Sequence, residues 1–286
     1  MRHPLKATTM PPTPPSVAAK RHAFKRLHQS GCFVIPNPWD AGSACYLETL
    51  GFEALATTSS GFAWSHAQAD GAMSRDQVLA HLREMVQATD LPVNADFENG
   101  FGNTPEAVAQ SVHLAIATGV AGLSVEDATG NANDPLFDIP TAVARLRAAR
   151  HAIDQAGGDT LLVARAENFF VGRPDLPDTL ARLQAYAQAG ADCLYAPGIQ
   201  TREQITAVVQ AVAPKPVNLL VGSAIDLTMK DIAELGVRRV SLGGALARTA
   251  WGGFMRAAQL MREEGRFDGL AGAASGKDLN GLFRAG

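Results

Sequence analysis

The chain has 286 residues, a formal net charge of −3 and 47% hydrophobic residues. The near-neutral charge gives no electrostatic basis for nucleic-acid binding, and no apolar run approaches the ~20 residues that a membrane span requires. We therefore expect neither a nucleic acid nor a membrane as a partner. The apolar content is sufficient for one large domain, because α/β barrels of ~250 residues fold as a single unit.

The N-terminal segment differs in composition from the rest of the chain. Residues 1–31 contain Lys and Arg but no Asp or Glu, and residues 11–15 read Pro-Pro-Thr-Pro-Pro. No apolar stretch follows the basic start, so the segment does not have the pattern of a secretory signal. We predict that residues 1–15 form a flexible tail and that residues 16–286 form a single domain, with a transit peptide as the alternative for the tail.

The three cysteines, Cys32, Cys45 and Cys193, lie far apart and lack the spacing of a metal or redox motif. An odd number of cysteines in a chain of this length indicates reduced thiols rather than a disulfide framework. This pattern predicts a cytoplasmic protein.

Short apolar runs alternate with segments of helical periodicity along the chain. A first helix is predicted over residues 16–29, Ser74 is a predicted N-cap, and Pro105 lies in the first position of its helix. The eight predicted strands begin at residues 32, 54, 92, 122, 161, 192, 216 and 239. The later helices are predicted over residues 40–50, 74–87, 104–117, 140–155, 177–188, 202–212, 228–234, 246–263 and 276–284.

Four predicted junctions between a helix and the next strand contain a glycine: Gly51, Gly119, Gly190 and Gly236. Glycine commonly ends a helix because it adopts the left-handed conformation without a steric penalty. Regular alternation of this kind produces a parallel sheet. Because the strands are apolar on both faces, the pattern favours an α/β fold of the closed (β/α)₈ type, a TIM-type barrel, over an open doubly wound sheet.

The third predicted strand leads into an acidic, glycine-rich segment, residues 92–102, which reads Pro-Val-Asn-Ala-Asp-Phe-Glu-Asn-Gly-Phe-Gly. Asp96 and Glu98 are two residues apart, so alternation along a strand would direct both side chains to the same side. Two carboxylates in that arrangement repel each other unless a proton or a cation lies between them. Oxygen ligands alone favour a hard cation such as Mg²⁺. The alternative is a solvated acidic turn after a buried strand.

In a (β/α)₈ barrel the chemistry takes place at the C-terminal ends of the strands, so polar residues at these ends should converge. Glu126 would add a third carboxylate, and Arg165 would add a cation suited to a carboxylate or a developing oxyanion. Together with an anion-binding nest of backbone N–H groups after the second strand, they suit a small α-oxo acid whose enolate a metal can stabilise. The polar strand-end residues are Ser59, Ser60, Gly61, Asp96, Glu98, Glu126, Arg165, Glu167 and Asn218.

Several short motifs occur in a characteristic order. They are Asn37-Pro38-Trp39-Asp40-Ala41, Thr57-Thr58-Ser59-Ser60-Gly61, Asp70-Gly71, the segment from Asn94 to Gly102, Val125-Glu126-Asp127 and Val163-Ala164-Arg165. In order and spacing they resemble the isocitrate lyase/phosphoenolpyruvate mutase superfamily, over residues 22–260. The resemblance implies a barrel enzyme that uses Mg²⁺, with Mn²⁺ as the alternative, and that makes or breaks C–C or P–C bonds through a pyruvate-type enolate. It also implies a homo-oligomer, a dimer or tetramer in which a C-terminal helix is exchanged between subunits.

The resemblance also implies roles for individual residues. Asp96 would be the main protein ligand of the metal, with other carboxylates holding it directly or through water. Arg165 would stabilise the enolate and bind the substrate carboxylate, and Glu126 would be a second catalytic residue. The predicted metal-binding residues are Asp70, Asp96, Glu98 and Glu126. The predicted substrate-binding residues are Ser59, Ser60, Gly61, Phe62, Asp96, Arg165 and Asn218.

The segment after the fourth strand, residues 127–138, departs from the family pattern. In isocitrate and methylisocitrate lyases this segment contains Lys-Lys-Cys-Gly-His or Lys-Arg-Cys-Gly-His, and its cysteine is the general acid. Here the segment contains no Cys, Lys or His. The general acid is therefore unassigned, with Asn131 or Asn133 holding a water as the candidate arrangement.

The sequence thus predicts a Mg²⁺-dependent lyase that cleaves a C–C bond next to an α-oxo or 2-hydroxy carboxylate through a metal-bound enolate. Its substrate would be a small α-oxo acid, dicarboxylate or tricarboxylate, as in 2-methylisocitrate lyase or oxaloacetate decarboxylase. One alternative is a P–C bond enzyme, a phosphonopyruvate hydrolase or a mutase. An alternative of another class is a binding protein that retains the α-oxo acid site without turnover.

Overall fold

The computed structural model describes residues 14–283, so most of the predicted tail and the end of the last predicted helix lie outside the described residues. The chain forms eight parallel strands with helices between them, which confirms the predicted (β/α)₈ barrel. The strands are β1 (Phe33–Ile35), β2 (Leu55–Ala56), β3 (Val93–Asp96), β4 (Gly122–Glu126), β5 (Leu161–Arg165), β6 (Cys193–Tyr195), β7 (Val217–Leu220) and β8 (Arg239–Ser241). The helices are α1 (Val17–Leu27), α2 (Ala41–Thr49), α3 (Ser59–Ser65), α4 (Arg75–Gln87), α5 (Pro105–Ile116), α6 (Ile139–Gln155), α7 (Leu176–Gln188), α8 (Arg202–Val212), α9 (Met229–Glu234), α10 (Ala245–Glu264) and α11 (Gly276–Phe283).

The strands pair in the order β1-β8-β7-β6-β5-β4-β3-β2. The ring is completed where the backbone N–H of Ala56 donates to the carbonyl of Pro36 at 3.0 Å. Asn37 reinforces this seam, because its side-chain amide donates to the carbonyl of Thr57 at 2.9 Å. The side-chain oxygen of Asn37 accepts from two backbone N–H groups directly after β8, at 2.8 and 2.9 Å. One buried side chain therefore connects the ends of three strands.

The predicted turn chemistry is present. Gly51, Gly119, Gly190 and Gly236 have φ angles of 82°, 94°, 103° and 88°. A residue with a Cβ adopts this backbone conformation only at a steric cost, so glycine is favoured at these four positions. Ser74 caps α4 as predicted, since its hydroxyl accepts from a backbone N–H in the first turn.

Helix α3 is absent from the sequence-based prediction. Its seven residues are too few to show helical periodicity, and the sequence Ser-Ser-Gly is more typical of a turn. The hydroxyl of Thr58 caps it by accepting from the N–H of Gly61 at 3.3 Å. A Cβ on Gly61 would lie 2.7 Å from Thr58 Cγ2 and 2.9 Å from Trp39 Cβ, so close packing holds the helix against the loop after β1.

Helix α1 covers the N-terminal end of the barrel, where Phe24 is fully buried in an apolar cluster with Phe33 and Ile35. His28 follows the helix and packs edge-on against Phe24 and Phe33, with ring centroids 4.6 and 5.3 Å away. Its Nδ1 lies 2.8 Å from the carbonyl of Phe24. Because a carbonyl only accepts, Nδ1 carries the hydrogen, and Nε2 accepts from Arg239 Nη1 at 3.4 Å. Burial, followed by repulsion from Arg239, lowers the pKa of His28 to about 3.

The C-terminal helices lie on the outside of the barrel. Of the 20 residues of α10, only Ala247 is buried. Helix α11 packs on α2 of the same chain, where the ring of Phe283 lies 3.5 Å from the position of a Cβ on Gly42. Exchange of this helix between subunits stays a prediction. No helix within residues 14–283 combines the length and the apolar character that crossing a bilayer requires.

The neutral state of His28 predicts a pH dependence of stability. In the unfolded chain His28 takes up a proton near pH 6.5, whereas in the folded protein it does so only near pH 3. The unfolded state therefore binds more protons in this window, and stability falls as the pH is lowered from 6.5 towards 3. The free energy of unfolding of the wild type should therefore fall between pH 7 and pH 5. For His28→Gln we expect this fall to be about 2 kcal/mol smaller.

The measurement is urea unfolding at pH 7 and pH 5. His113→Gln is the matched control, since His113 is solvent-exposed and its replacement should leave the wild-type pH dependence unchanged. Equal losses in His28→Gln and the wild type would show that His28 is not held neutral by its packing.

Candidate active site

A cavity of about 360 Å³, which we call the central cavity, opens at the C-terminal ends of the strands. All eight strands, or the residues directly after them, contribute to its wall, which is the position of the active site in barrels of this kind. Among the predicted site residues, those that line it are Ser59, Ser60, Asp70, Asp96 and Arg165. Lining residues that were given no site role in the sequence-based prediction include Asn37, Asn94, Tyr195, Arg239, Ser241 and Arg248.

Arg165, the last residue of β5, makes three ion pairs. Its Nη1 lies 2.8 Å from Asp96 Oδ1, its Nη2 lies 3.2 Å from Glu126 Oε2, and its Nε lies 2.8 Å from Glu167 Oε1. The pairing follows from the sheet, because Glu126 and Arg165 are register partners on β4 and β5. None of the four side chains is more than 18% exposed, so water screens these contacts little. The guanidinium is therefore held in a single orientation at the cavity wall.

The cluster contains more carboxyl groups than Arg165 can neutralise. Burial, followed by repulsion from Asp96 and Asp70, raises the pKa of Glu98 to about 7. Desolvation at the cavity wall and repulsion from Asp96 raise the pKa of Asp70 as well. Burial raises the pKa of Glu126 despite the contact with Arg165. Counting Glu167, five carboxyl groups share one guanidinium, and such an excess of negative charge must be reduced by protons or by a cation.

Glu98 reaches the cluster by a route that strand alternation does not predict. Strand β3 ends at Asp96, and Glu98 lies beyond it with a φ of 47°. This left-handed conformation costs about 1–2 kcal/mol for a residue with a Cβ. The carbonyl of Glu98 accepts from the N–H of Glu126 at 3.0 Å, which fixes the turn against β4. A strained turn, rather than a shared strand face, brings the two carboxyl groups together.

The segment after β2 positions Asp96 from the other side. The N–H of Ser59 donates to Asp96 Oδ2 at 2.9 Å, and the N–H of Asp96 donates to Thr57 Oγ1 at 2.9 Å. With the contact to Arg165, both carboxylate oxygens of Asp96 have a partner. The Asp96 carboxylate is consequently held from two sides.

Gly61 and Phe62 are buried inside α3 and do not line the central cavity. Their backbone N–H groups donate to Thr58, through its hydroxyl and its carbonyl respectively, so these donors serve to form the helix. Phe62 stacks on His81 with ring centroids 3.9 Å apart. A role for Gly61 and Phe62 in substrate binding stays a prediction.

The predicted asparagines occupy different places. Asn218 is fully buried behind the cavity wall, where it donates to Ser241 Oγ at 2.9 Å and accepts from Arg239 Nε at 2.7 Å. Asn131 and Asn133 are exposed, outside the lining of the central cavity, and the N–H of Asn133 donates to Asn131 Oδ1 at 3.0 Å. Their catalytic role stays a prediction without support from the geometry.

Asp127 supports the site from behind, a role the sequence did not indicate. Its Oδ1 accepts from the N–H of Glu167 at 2.8 Å. Its Oδ2 accepts from Arg182 Nη1 at 2.9 Å and from the hydroxyl of Tyr186 at 2.5 Å, both on α7. Glu167 in turn contacts Arg165. Helix α7 is therefore connected to the central guanidinium through buried hydrogen bonds.

Tyr195 ends β6, and the centroid of its ring lies 5.0 Å from the Arg165 guanidinium carbon, so the strand-end rule would have found this residue.

Two arginines of the cavity wall could not be found by examining strand ends. Arg239, by contrast, begins its strand, and Arg248 lies on α10. Only the closed barrel and the outer helix bring these two arginines to the cavity.

The acidic cluster fits a hard divalent cation. One buried oxygen of Glu98, Oε1, has no hydrogen-bond partner among the described residues, and a cation nearby would satisfy it. Within residues 14–283, no group of three or more His, Cys, Asp or Glu side chains is placed so that all of them could hold one metal ion. This is compatible with Mg²⁺, which keeps several waters and uses only one or two carboxylates directly.

The closed barrel and the carboxyl groups around Arg165 at the C-terminal ends of its strands are typical of a (β/α)₈ enzyme. Comparison with known proteins identifies the family. Residues 24–262 match the family described as phosphoenolpyruvate phosphomutase. The chain belongs to this family and to the isocitrate lyase/phosphoenolpyruvate mutase superfamily, which confirms the superfamily predicted from the motifs.

Three relatives indicate the range of activities. A crystal structure from Burkholderia cenocepacia J2315, provisionally described as a lyase/mutase, is 49% identical with a TM-score of 0.90, and the match covers 93% of this chain and 96% of that one. The structure of a 2,3-dimethylmalate lyase is 27% identical with a TM-score of 0.81, over 94% of both chains. An oxaloacetate decarboxylase of Paraburkholderia xenovorans LB400 is 29% identical over 79% of this chain and 75% of its own length. The prediction of a lyase of this superfamily is confirmed at that level.

The buried network behind Glu167 predicts an effect of a single hydroxyl. Tyr186→Phe removes the O–H that donates to Asp127 and leaves the ring in place. A hydrogen bond to a charged group contributes about 1.5–3 kcal/mol, so we expect the free energy of unfolding to fall by that amount. The measurement is urea unfolding at pH 7.

Tyr46→Phe provides the control, since Tyr46 is half exposed on α2 and its loss of a hydroxyl should change stability by less than about 0.5 kcal/mol. Similar values for the two variants would mean that Asp127 does not depend on Tyr186.

Proposed function

We propose that the protein is a divalent-metal-dependent lyase that cleaves a C–C bond next to a 2-oxo or 2-hydroxy carboxylate, with oxaloacetate as the first substrate to test. Mg²⁺ is the proposed metal and Mn²⁺ the alternative. The observation that carries the proposal is the cluster of five carboxyl groups around Arg165 at the mouth of the barrel. A cytoplasmic location is part of the proposal, in keeping with three unpaired cysteines.

Asp96, Asp70, Glu98 and Glu126 would hold the metal, directly or through water. When bound, the metal supplies a Lewis acid that polarises the 2-oxo acid and favours the enolate. Asp96 is the best placed of the four, because it lines the central cavity and is fixed by contacts on both of its oxygens. Glu98 offers the oxygen that lacks a partner.

Arg165 would bind the substrate carboxylate and stabilise the negative charge that develops on the enolate oxygen. A guanidinium has five N–H groups, and the three ion pairs of Arg165 leave N–H groups to face the cavity that it lines. Because the three carboxylates fix its orientation, little reorganisation is needed as charge develops. Ser59 and Ser60 lie on the same wall and offer hydroxyls for the carboxylate.

The relatives support a small dicarboxylate as substrate. By their names, one acts on oxaloacetate and another on 2,3-dimethylmalate, and both substrates carry two carboxylates on a short carbon chain. The central cavity, at about 360 Å³, has the dimensions for such a molecule.

The test is release of pyruvate by the purified protein with Mg²⁺ from a panel of oxaloacetate, 2-methylisocitrate and phosphonopyruvate. We expect turnover of a C–C substrate, oxaloacetate first, and its loss on chelation of the metal. Asp96→Ala should lower kcat/KM by at least about 100-fold, because it removes a metal ligand and a partner of Arg165 together. The same variant should lose the thermal stabilisation that Mg²⁺ gives to the wild type.

Asp159→Ala is the control for this substitution. Asp159 is exposed and precedes β5, at the opposite end of the barrel, so its loss should leave turnover unchanged. Wild-type activity in Asp96→Ala would overturn the proposed site, and turnover of phosphonopyruvate alone would replace the C–C reaction with P–C chemistry.

A protein that binds 2-oxo acids without turnover is the second candidate. It is favoured by residues 127–138, which contain no Cys, Lys or His and are folded onto themselves by a bridge between Ala128 and Leu136. In that case the whole panel gives no pyruvate, while a 2-oxo acid still stabilises the protein against heat only when Mg²⁺ is present.

A homo-oligomer is also proposed, because α10 carries a row of exposed apolar side chains. Trp251, Phe254 and Met255 are 40%, 62% and 52% exposed. We expect the wild type to have the native mass of a dimer or tetramer, and Phe254→Asp to shift it towards the monomer. Leu50→Asp, at an equally exposed apolar position after α2, is the control and should keep the native mass. Light scattering measures both, and a monomeric wild type would contradict the proposal.

A further inference from the structure

A second cavity of about 220 Å³ lies beside the central cavity, and we call it the side chamber. The two cavities share four residues of their walls, Phe170, Leu220, Gly222 and Arg248. The two cavities therefore adjoin at these residues. None of these four residues takes part in the proposed reaction.

The interior of the side chamber is aliphatic. Ile205 is completely buried, and Ile199 and Leu219 are each 2% exposed. Ile225 completes the apolar wall from the loop after β7. The polar residues that line the chamber, Gln200, Ser223 and Arg248, are all solvent-exposed and so belong to its rim. Among the described residues that line the side chamber there is no Asp or Glu, whereas Asp70 and Asp96 line the central cavity.

Gly222 lies at the junction of the two cavities. A Cβ placed there would lie 3.7 Å from Leu220 Cγ, 3.8 Å from Leu220 Cδ2 and 4.0 Å from Arg248 Nη2. These are ordinary van der Waals distances, and the backbone of Gly222 does not adopt the left-handed conformation that excludes other residues. A larger side chain can therefore be accommodated by the fold, but it would occupy the passage between Leu220 and Arg248.

We infer that the side chamber binds an alkyl substituent of the substrate, so that the enzyme prefers a 2-oxo or 2-hydroxy acid with a branched or extended aliphatic chain to the unsubstituted acid. The inference rests on the proposed function, since it assumes that the 2-oxo carboxylate lies beside Arg165 and Asp96. The acid group would stay in the polar cavity, while the chain passes Gly222 and contacts Phe170, Leu220 and Ile225, the apolar lining residues that are not fully buried. Each methylene transferred from water to such a surface strengthens binding about fourfold.

The test uses two ligands, pyruvate and 4-methyl-2-oxopentanoate, with the full chain in the presence of Mg²⁺. Calorimetry gives both Kd values, and the readout is their ratio. The second ligand carries three more carbon atoms, so we expect the wild type to bind it roughly 50-fold more tightly. In Gly222→Val the ratio should fall towards one, because the valine side chain closes the passage.

Ile225→Phe is the second variant, since it fills the chamber from a residue that does not line the central cavity, and it should also lower the ratio. Gly272→Val is the matched control, as nothing lies within 4 Å of its Cβ position, and it should keep the wild-type ratio. A wild-type ratio near one, or the wild-type ratio in both Gly222→Val and Ile225→Phe, overturns the inference, as does failure to bind either acid. If the ratio of Kd values changes as expected but no substrate of the panel is cleaved, the proposed reaction is wrong, whereas the inference that the side chamber binds an alkyl group is supported.

Discussion

The structure depends on one electrostatic constraint, the enclosure of Arg165 by carboxyl groups. Three carboxylates contact its guanidinium between 2.8 and 3.2 Å, and burial together with the charge of Asp96 raises the pKa of two more carboxyl groups, Asp70 and Glu98. Ion pairs at these distances are strong where water is excluded, but unpaired buried charges are costly. The fold therefore tolerates this cluster only because protons or a cation can reduce its charge. A site that needs a cation to be fully ionised is well suited to hold one.

The barrel supplies the rigidity that such a cluster requires. Its strands have only two to five residues, so the polar groups after them are positioned largely by buried side chains. Asn37 connects the ends of β1, β2 and β8, and Asp127 connects the end of β5 to α7. Each of these two side chains makes three hydrogen bonds, which join separate elements of the barrel. Through Glu167, the support from Asp127 reaches Arg165 and restricts its orientation.

Much of this could be predicted from the sequence, because the relevant signals are local. Apolar runs, helical periodicity and glycines at helix ends indicate the barrel, and the strand-end rule finds Asp96, Glu126 and Arg165. Helix α3 was not predicted, because a helix of seven residues is too short to show helical periodicity. The position of the Glu98 side chain depends on a backbone φ of 47°. Because positive φ is uncommon for residues other than glycine, the sequence does not predict this conformation for a glutamate. Arg239 and Arg248 reach the cavity only through contacts between distant parts of the chain.

The asymmetry between the two halves of the site bears on the reaction. Carboxyl groups are crowded around Arg165, whereas residues 127–138 contain no thiol, ammonium or imidazole side chain and are joined by a bridge between Ala128 and Leu136. Cleavage of a tricarboxylate yields an enolate that such a group protonates. Loss of CO₂ from a 2-oxo dicarboxylate also yields an enolate, but the departing CO₂ needs no proton, and water can protonate the enolate once the cavity is open. Under the proposed function, decarboxylation therefore makes a smaller demand on residues 127–138 than the other C–C cleavages of the superfamily do.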